Sequence, residues 1–239
     1  MIDESFSRDQ RLAELRLLHL ADSALPIGSL AHSFGLESLV SANLLGTAEL
    51  AAFLHGHIEE AGLLEAVFCR AAAQLTKAFR SQLDVRRWLE INDYLSARKP
   101  ARESRAGSGS LGRNFLAAVC AVGDFPLLQQ ALRGSRESSS FIHHSVAFGL
   151  ASGALGLGEE RSVLAFLHQS AASLVSACQR LLPLGQSHAT SILWNLKPVI
   201  IETADRSTSF SMENVCSFTP LLDWGAMEHP ALSTRLFIS

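Results

Sequence analysis

Leu50-Ala-Ala-Phe-Leu-His-Gly-His-Ile-Glu-Glu-Ala-Gly-Leu-Leu-Glu-Ala-Val-Phe-Cys-Arg-Ala-Ala-Ala-Gln-Leu-Thr-Lys-Ala-Phe79 decides the fold class. Its apolar residues Leu50, Leu54, Ile58, Ala61, Leu64, Phe68, Ala72, Leu75 and Phe79 step by three and four. That is the period of one buried face on a helix, and it predicts a single long amphipathic helix with Thr47 as its cap. The same period returns from Glu159 to Leu182, through Val163, Leu167, Ala171, Leu174, Cys178 and Leu181. Shorter helices fit 8–21, 31–44, 84–97, 111–122, 125–133, 139–156 and 187–195. No run alternates apolar and polar residues long enough for a strand. The expectation is an all-α fold, a single-domain helical bundle of about eight to ten helices with an apolar C-terminal tail. Two polar stretches, Arg98 to Gly112 and Arg133 to Ser140, read as connections within it.

The bulk composition agrees. Hydrophobic residues make up 48% of the 239 and charged residues 18%, enough apolar material for a packed core. Aromatic residues are only 7%, which suits helices filled with Ala, Leu and Ser better than a β-sandwich. The net charge of −3 gives no basic field for nucleic acid or for an anionic membrane surface. Lysine occurs only at 77, 99 and 197, so Arg carries most of the positive charge and is suited to planar protein contacts. Cys69, Cys120, Cys178 and Cys216 are isolated, with no CxxC pair. The polar, acidic start Met1-Ile-Asp-Glu-Ser-Phe-Ser is unlike a secretory signal, and residues 1–7 are expected to be flexible. The most apolar stretch, Val146 to Leu157, is too short to span a bilayer. A cytoplasmic protein is expected.

Catalytic patterns are missing. There is no GxSxG elbow, no P-loop and no dinucleotide fingerprint. Gly153-x-x-Gly156-x-Gly158 ends an apolar helix and reads as a C-cap. His55 and His57 point about 200° apart on a helix, and His143 and His144 also diverge, so neither pair chelates. His55 with Glu59 is the nearest i,i+4 combination, and it reads as a solvated helix face. No catalytic residue, resident metal or cofactor is expected.

Two segments remain unexplained by bundle packing alone. In Ala24-Leu-Pro-Ile-Gly-Ser-Leu-Ala-His-Ser-Phe-Gly-Leu-Glu37, Pro26 stops one helix, Gly28 permits a backbone sign that other residues resist, and Ser29 offers a cap to the next. Gly35, expected inside that next helix, signals close packing against another element. After Thr203 the helical period dissolves, yet Leu221, Leu222, Trp224, Met227, Leu232, Leu236, Phe237 and Ile238 follow. Such an end either packs on its own bundle or is held for a partner.

Taken in order, five motifs resemble the UreF family of urease accessory proteins. They are Ala24-Leu-Pro-Ile-Gly-Ser-x-x-His-Ser-x-Gly-Leu-Glu37, Ile91-Asn-Asp-x-Leu95, His144-x-Val-Ala-Phe-Gly149 with Ala154-Leu-Gly156, Leu182-Pro-Leu-Gly-Gln186, and the closing Ser-Thr-Arg-Leu-Phe-Ile-Ser239. The resemblance implies an all-helical, dimeric scaffold that is not an enzyme. It would sit between the urease-binding accessory protein UreD, also called UreH, and the GTPase UreG, within a complex that delivers nickel to apo-urease. Regulation of GTP hydrolysis by UreG is the alternative. The resemblance further implies that residues 206–239 form a partner-binding tail ordered against UreD, with Asp223, His229 and Arg235 retained as its polar positions. It places Pro26, Gly28, Ser29, His32, Ser33, Gly35 and Glu37 of the turn at partner interfaces. Arg180, with Gly185 and Gln186 in the motif after it, becomes a candidate UreG contact. Leu30, Trp224, Pro230 and Ser233 depart from the family pattern.

Overall fold

The computed structural model describes residues 7–78 and 82–238. Its helices, in chain order, are α1 (Arg8–Leu20), α2 (Leu36–Ser41), α3 (Leu50–His57), α4 (Leu63–Ala78), α5 (Val85–Ala97), α6 (Arg102–Ala121), α7 (Pro126–Glu137), α8 (His144–Ala154), α9 (Glu159–Leu181), α10 (Gln186–Asn195), α11 (Lys197–Arg206) and α12 (Pro220–Glu228). Short 3₁₀ turns cover Ser29–Ala31, Ser207–Ser209 and His229–Ala231. No strand occurs among the described residues, so the fold is all-α. None of the described helices is long and apolar enough to cross a membrane.

The helix expected from Leu50 runs on as α3 and α4, joined through a π-turn at Ile58–Gly62. Phe79, the last member of its apolar series, lies outside the described residues, as do residues 1–6 of the expected flexible start. Ser7 is the N-cap of α1. Its side chain accepts the Gln10 N–H while Gln10 reaches back to the Ser7 N–H, a capping box that starts α1. Thr47 does not cap α3. The flanking residue is Glu49, with no side-chain cap bond.

α8 sits at the centre, with Ser145 to Ser152 all buried. It lies against α4 so closely that a Cβ on Gly149 would stand 2.0 Å from the Cys69 carbonyl oxygen. Only hydrogen fits there. Phe148 stacks on Phe115 of α6 at 5.4 Å between ring centroids, and both rings are fully buried. Burial of side chains such as Phe148 and Leu150 contributes roughly 1.5–3 kcal/mol each. Gly156 ends the helix at φ 71°, while the Leu157 N–H returns to the Ser152 carbonyl. The C-cap expected at that glycine is therefore present.

Two expectations fail in instructive ways. Arg98 to Gly112 is mostly helix, because α6 begins at Arg102. Its Gly107, Ser108, Gly109 and Gly112 are buried, and a Cβ at Gly112 would stand 1.9 Å from the Ile142 carbonyl oxygen. Small residues that suggest a loop are instead the face that lets α6 approach the chain before α8. Close packing offsets the helix cost of about 1 kcal/mol per glycine. The connector expected from Arg133 is helical to Glu137, since buried Gly134 lets α7 reach Val85. Lys197–Arg206 forms α11, with Pro198 in its first turn, where its missing N–H costs nothing.

Candidate partner-binding site

The turn after α1 adopts the backbone its sequence asks for. Gly28 has φ 86° and Gly35 φ 95°. Ser29 opens the 3₁₀ turn and does not cap α2, whose N-cap position is Gly35. Ser33 performs that service instead, its hydroxyl accepting the Glu37 N–H at 3.4 Å. Gly35 therefore lies at the helix entrance, not inside the helix. The close packing expected of it is real: a Cβ there would meet the Leu222 oxygen at 2.7 Å and the Ala226 nitrogen at 2.9 Å. Gly225 faces back, its own Cβ direction 2.5 Å from the Gly35 oxygen. α12 thus lies directly on the start of α2.

Glu37 is the hub. Its carboxylate accepts the N–H of Leu236 at 2.5 Å, the N–H of Phe237 at 3.1 Å and His229 Nε2 at 2.9 Å. The His229 ring is fully buried, and its Nδ1 stands 2.8 Å from Glu103 on α6. Both ring nitrogens therefore face carboxylate oxygens, and the ring bridges α2 to α6. Arg180 closes the far side. Its Nη1 donates to the Leu30 carbonyl at 2.5 Å and its guanidinium lies 4.3 Å from the centre of the Phe237 ring. The Ile238 N–H adds a bond to the Ala31 carbonyl at 2.8 Å.

The tail therefore packs on its own bundle, and by one face only. Leu222, Gly225, Ala226, His229 and Phe237 are buried. Phe218, Leu221, Trp224 and Met227 recur every three residues on the other side and are exposed, Phe218 at 78% and Met227 at 52%. Leu30, Leu236 and Ile238, at the turn and the tail's end, are exposed as well. Single exposed hydrophobes are ordinary, but a contiguous row on an anchored segment marks an interaction surface.

The structure brings together most of the residues singled out in the sequence. Ser29, Ser33, Gly35, Glu37, His229 and Arg180 meet at this junction, with Pro26 and Gly28 exposed on its rim. His32 is buried there and stacks on Phe34 at 5.6 Å, and burial lowers its pKa. Asp223 accepts the Thr219 hydroxyl at 3.3 Å in the first turn of α12, and partial burial raises its pKa. Gly185 and Gln186 begin α10, where Gln179 bonds Gln186 at 3.0 Å, apart from the tail. Arg235 is exposed. Glu103, the second carboxylate on His229, lay in the segment read as a connector. Nothing in its spacing marked it.

Beneath α12 lies a chamber of about 140 Å³ whose lining includes His57, Glu65, Lys99, Ser108, His144 and Asp223. Burial opposes ionisation of Glu65, but the Lys99 ammonium and the Ser145 hydroxyl outweigh it and hold the carboxyl below its ordinary range. Burial, aided by Lys99, brings His57 down to about 4. Nearby His143, which bonds Ser96 and Ser108, is brought down to about 3 by burial and Lys99. Burial alone outweighs Glu65 at His144, which falls to about 4. These imidazoles are neutral at pH 7. One signal for this chamber was available: Glu65 interrupts the apolar face of the Leu50 helix. Among the described residues, no group of three or more His, Cys, Asp or Glu is placed to hold a metal ion. His55 and Glu59 pair at 3.2 Å on the surface.

Known sequences resemble this chain over nearly its whole length. The protein named urease accessory protein UreF from Haemophilus influenzae is 32% identical over 228 residues, covering 93% of this chain and 94% of that one. The protein of that name from Actinobacillus pleuropneumoniae is 30% identical over 225 residues, covering 93% and 97%. Its counterpart from Bradyrhizobium is 31% identical over 225 residues, covering 94% and 91%. The family model for UreF matches residues 45–197, the body of the bundle. The chain belongs to the UreF family of urease accessory proteins.

Proposed function

We propose that this protein is a non-enzymatic scaffold of urease maturation, holding UreD (UreH) and the GTPase UreG together so that nickel, the cargo, reaches apo-urease. The observation that carries this reading is the two-faced tail. One face is pinned to Glu37, Glu103 and Arg180, and the other offers Phe218, Leu221, Trp224 and Met227 to a partner. A protein that works by being held needs such a surface more than it needs a reaction centre. In this account the tail meets UreD, and the turn and the Arg180 end of α9, continuous with it, extend the interface towards UreG. The complex contains two copies of the chain and works in the cytoplasm, without nucleic acid or membrane.

Co-expression with UreD, UreG and apo-urease tests the reading. The full chain copurifies with UreD and UreG and yields active urease. A chain ending before Pro220 does neither while its helical spectrum persists. Full activation by that truncated chain would contradict the assignment.

A second reading gives the chain an effect on GTP hydrolysis by UreG, because Arg180 carries a guanidinium at the edge of the same surface. Steady-state GTPase rates of UreG with the full chain and with Arg180→Ala separate the two. Equal rates leave bridging alone. A rate increase that Arg180→Ala abolishes establishes regulation.

A further inference from the structure

We propose that the cleft between α6, the end of α7 and residues 139–142 binds a phosphate group. It is a recess of about 370 Å³ lined by Arg113, Ser135, Arg136, Ser139, Ser140 and Phe141, with Leu132 and Ile142 as its floor. It shares no lining residue with the chamber under α12. Its volume lies in the range of small-ligand sites.

The charge in this cleft is unbalanced. Arg113 comes from α6 and Arg136 from α7, and no carboxylate lines the recess with them. Among the described residues, neither guanidinium makes an ion pair or a hydrogen bond, so both are available to a ligand. An acidic contact lies at the edge, where the Ser140 hydroxyl donates to Asp93 at 3.5 Å. Glu137, on the last turn of α7, is exposed and does not line the cleft.

A helix C-terminus ordinarily repels anions, because its last carbonyls are bare. Here the two nearest are occupied. Ser139 takes the left-handed conformation at φ 54°, and its N–H bonds the Arg136 carbonyl at 3.3 Å. The Ser140 N–H bonds the Ser135 carbonyl at 3.0 Å. This pair of bonds closes the helix as a Schellman motif and removes those acceptors from the cleft. The Ser135 hydroxyl accepts from Trp88 Nε1 at 2.8 Å, which leaves its own proton free to donate. Two arginines and the hydroxyls of Ser135 and Ser139 therefore line a recess with donors in excess. A tetrahedral oxyanion with three or four acceptor oxygens matches that set better than a planar carboxylate with two. Phe141, at 38% exposure, gives the recess an apolar wall suited to the ester group of a phosphate monoester.

The test uses the full chain and isothermal titration at fixed ionic strength, with inorganic phosphate, phenyl phosphate and acetate as probes. Saturable binding of inorganic phosphate is expected, with acetate at least about tenfold weaker. Arg113→Ala and Arg136→Ala each weaken phosphate by about tenfold or more. The double variant abolishes binding, and Arg133→Ala, outside the cleft, leaves it unchanged. Both cleft arginines are exposed, so an unchanged melting temperature certifies the fold of the variants. Phenyl phosphate binding more tightly than inorganic phosphate identifies a monoester as the natural ligand, and equal binding identifies free phosphate. Absence of saturable phosphate binding, its survival in the double variant, or equal binding of acetate would overturn the proposal.

Discussion

The α4–α8 contact and the turn–tail junction are both built on glycine, and they are opposite kinds of joint. At the first, Gly149 meets the Cys69 carbonyl among mostly apolar buried side chains, with Ser145 to Glu65 a polar contact along the same pair of helices. At the second, Gly35 and Gly225 bring α2 and α12 equally close, yet one face of the tail remains exposed. What holds the second is polar: one carboxylate, Glu37, collects an imidazole and two backbone N–H groups. An apolar joint loses all its burial when it opens. A joint pinned by a few charge-assisted bonds exchanges them for water or for another chain at smaller cost. The difference separates the part of the molecule that must stay shut from the part that meets a partner.

The largest expected effect is on the core and comes from pH. His57, His143 and His144 are buried neutral, with pKa values of about 4, 3 and 4 against an ordinary 6.5. The unfolded chain binds more protons than the folded one between these limits, so stability falls as pH drops from 6.5 towards 4. Glu65, held below its ordinary range, adds a loss in the same direction as pH falls further. Urea midpoints measured from pH 7 to pH 4 should fall steeply. A flat profile would mean that these rings are hydrated and charged in the fold.

Gly149→Ala comes next. Its Cβ has no space against the Cys69 carbonyl, and separating α4 from α8 costs about 3 kcal/mol. The melting temperature of the whole domain drops. His229→Ala is expected to cost about 2–3 kcal/mol, because Glu37 and Glu103 lose their shared partner. This loss is local. Hydrogen exchange should accelerate over 220–238 and stay slow in α4 and α8, and equal acceleration in both would erase the distinction drawn above. Trp224→Ala with Met227→Ala, on the exposed face, should change stability by less than about 0.5 kcal/mol per site.

Much of this was legible in the chain, for identifiable reasons. The 3.6 period of Leu50 to Leu75 and of Val163 to Leu181 records which face is buried, so the long helices and the all-α class follow from it. Gly28 announced an unusual backbone at the turn and Gly35 a close approach, and both have positive φ. The first half of α6 was hidden because Gly107, Gly109 and Gly112 carry a loop composition, while the role of Gly109 and Gly112 depends on how near Phe141 to His143 come. The tail was visible as an apolar end, but its division into anchors and exposed residues rests on Glu37 and Glu103. Those partners are far away in sequence, and no local period encodes them. Arg180, read as a contact for another protein, is engaged within this chain by Leu30 and Phe237.

The central claim is that the tail's exposed face, and not its anchoring, recruits the partner. It is tested most directly by copurifying UreD and UreG with the Trp224→Ala/Met227→Ala chain while following hydrogen exchange over 220–238. The account predicts that exchange in the tail stays slow while the complex and urease activation are lost. Retention of both by this variant would contradict it.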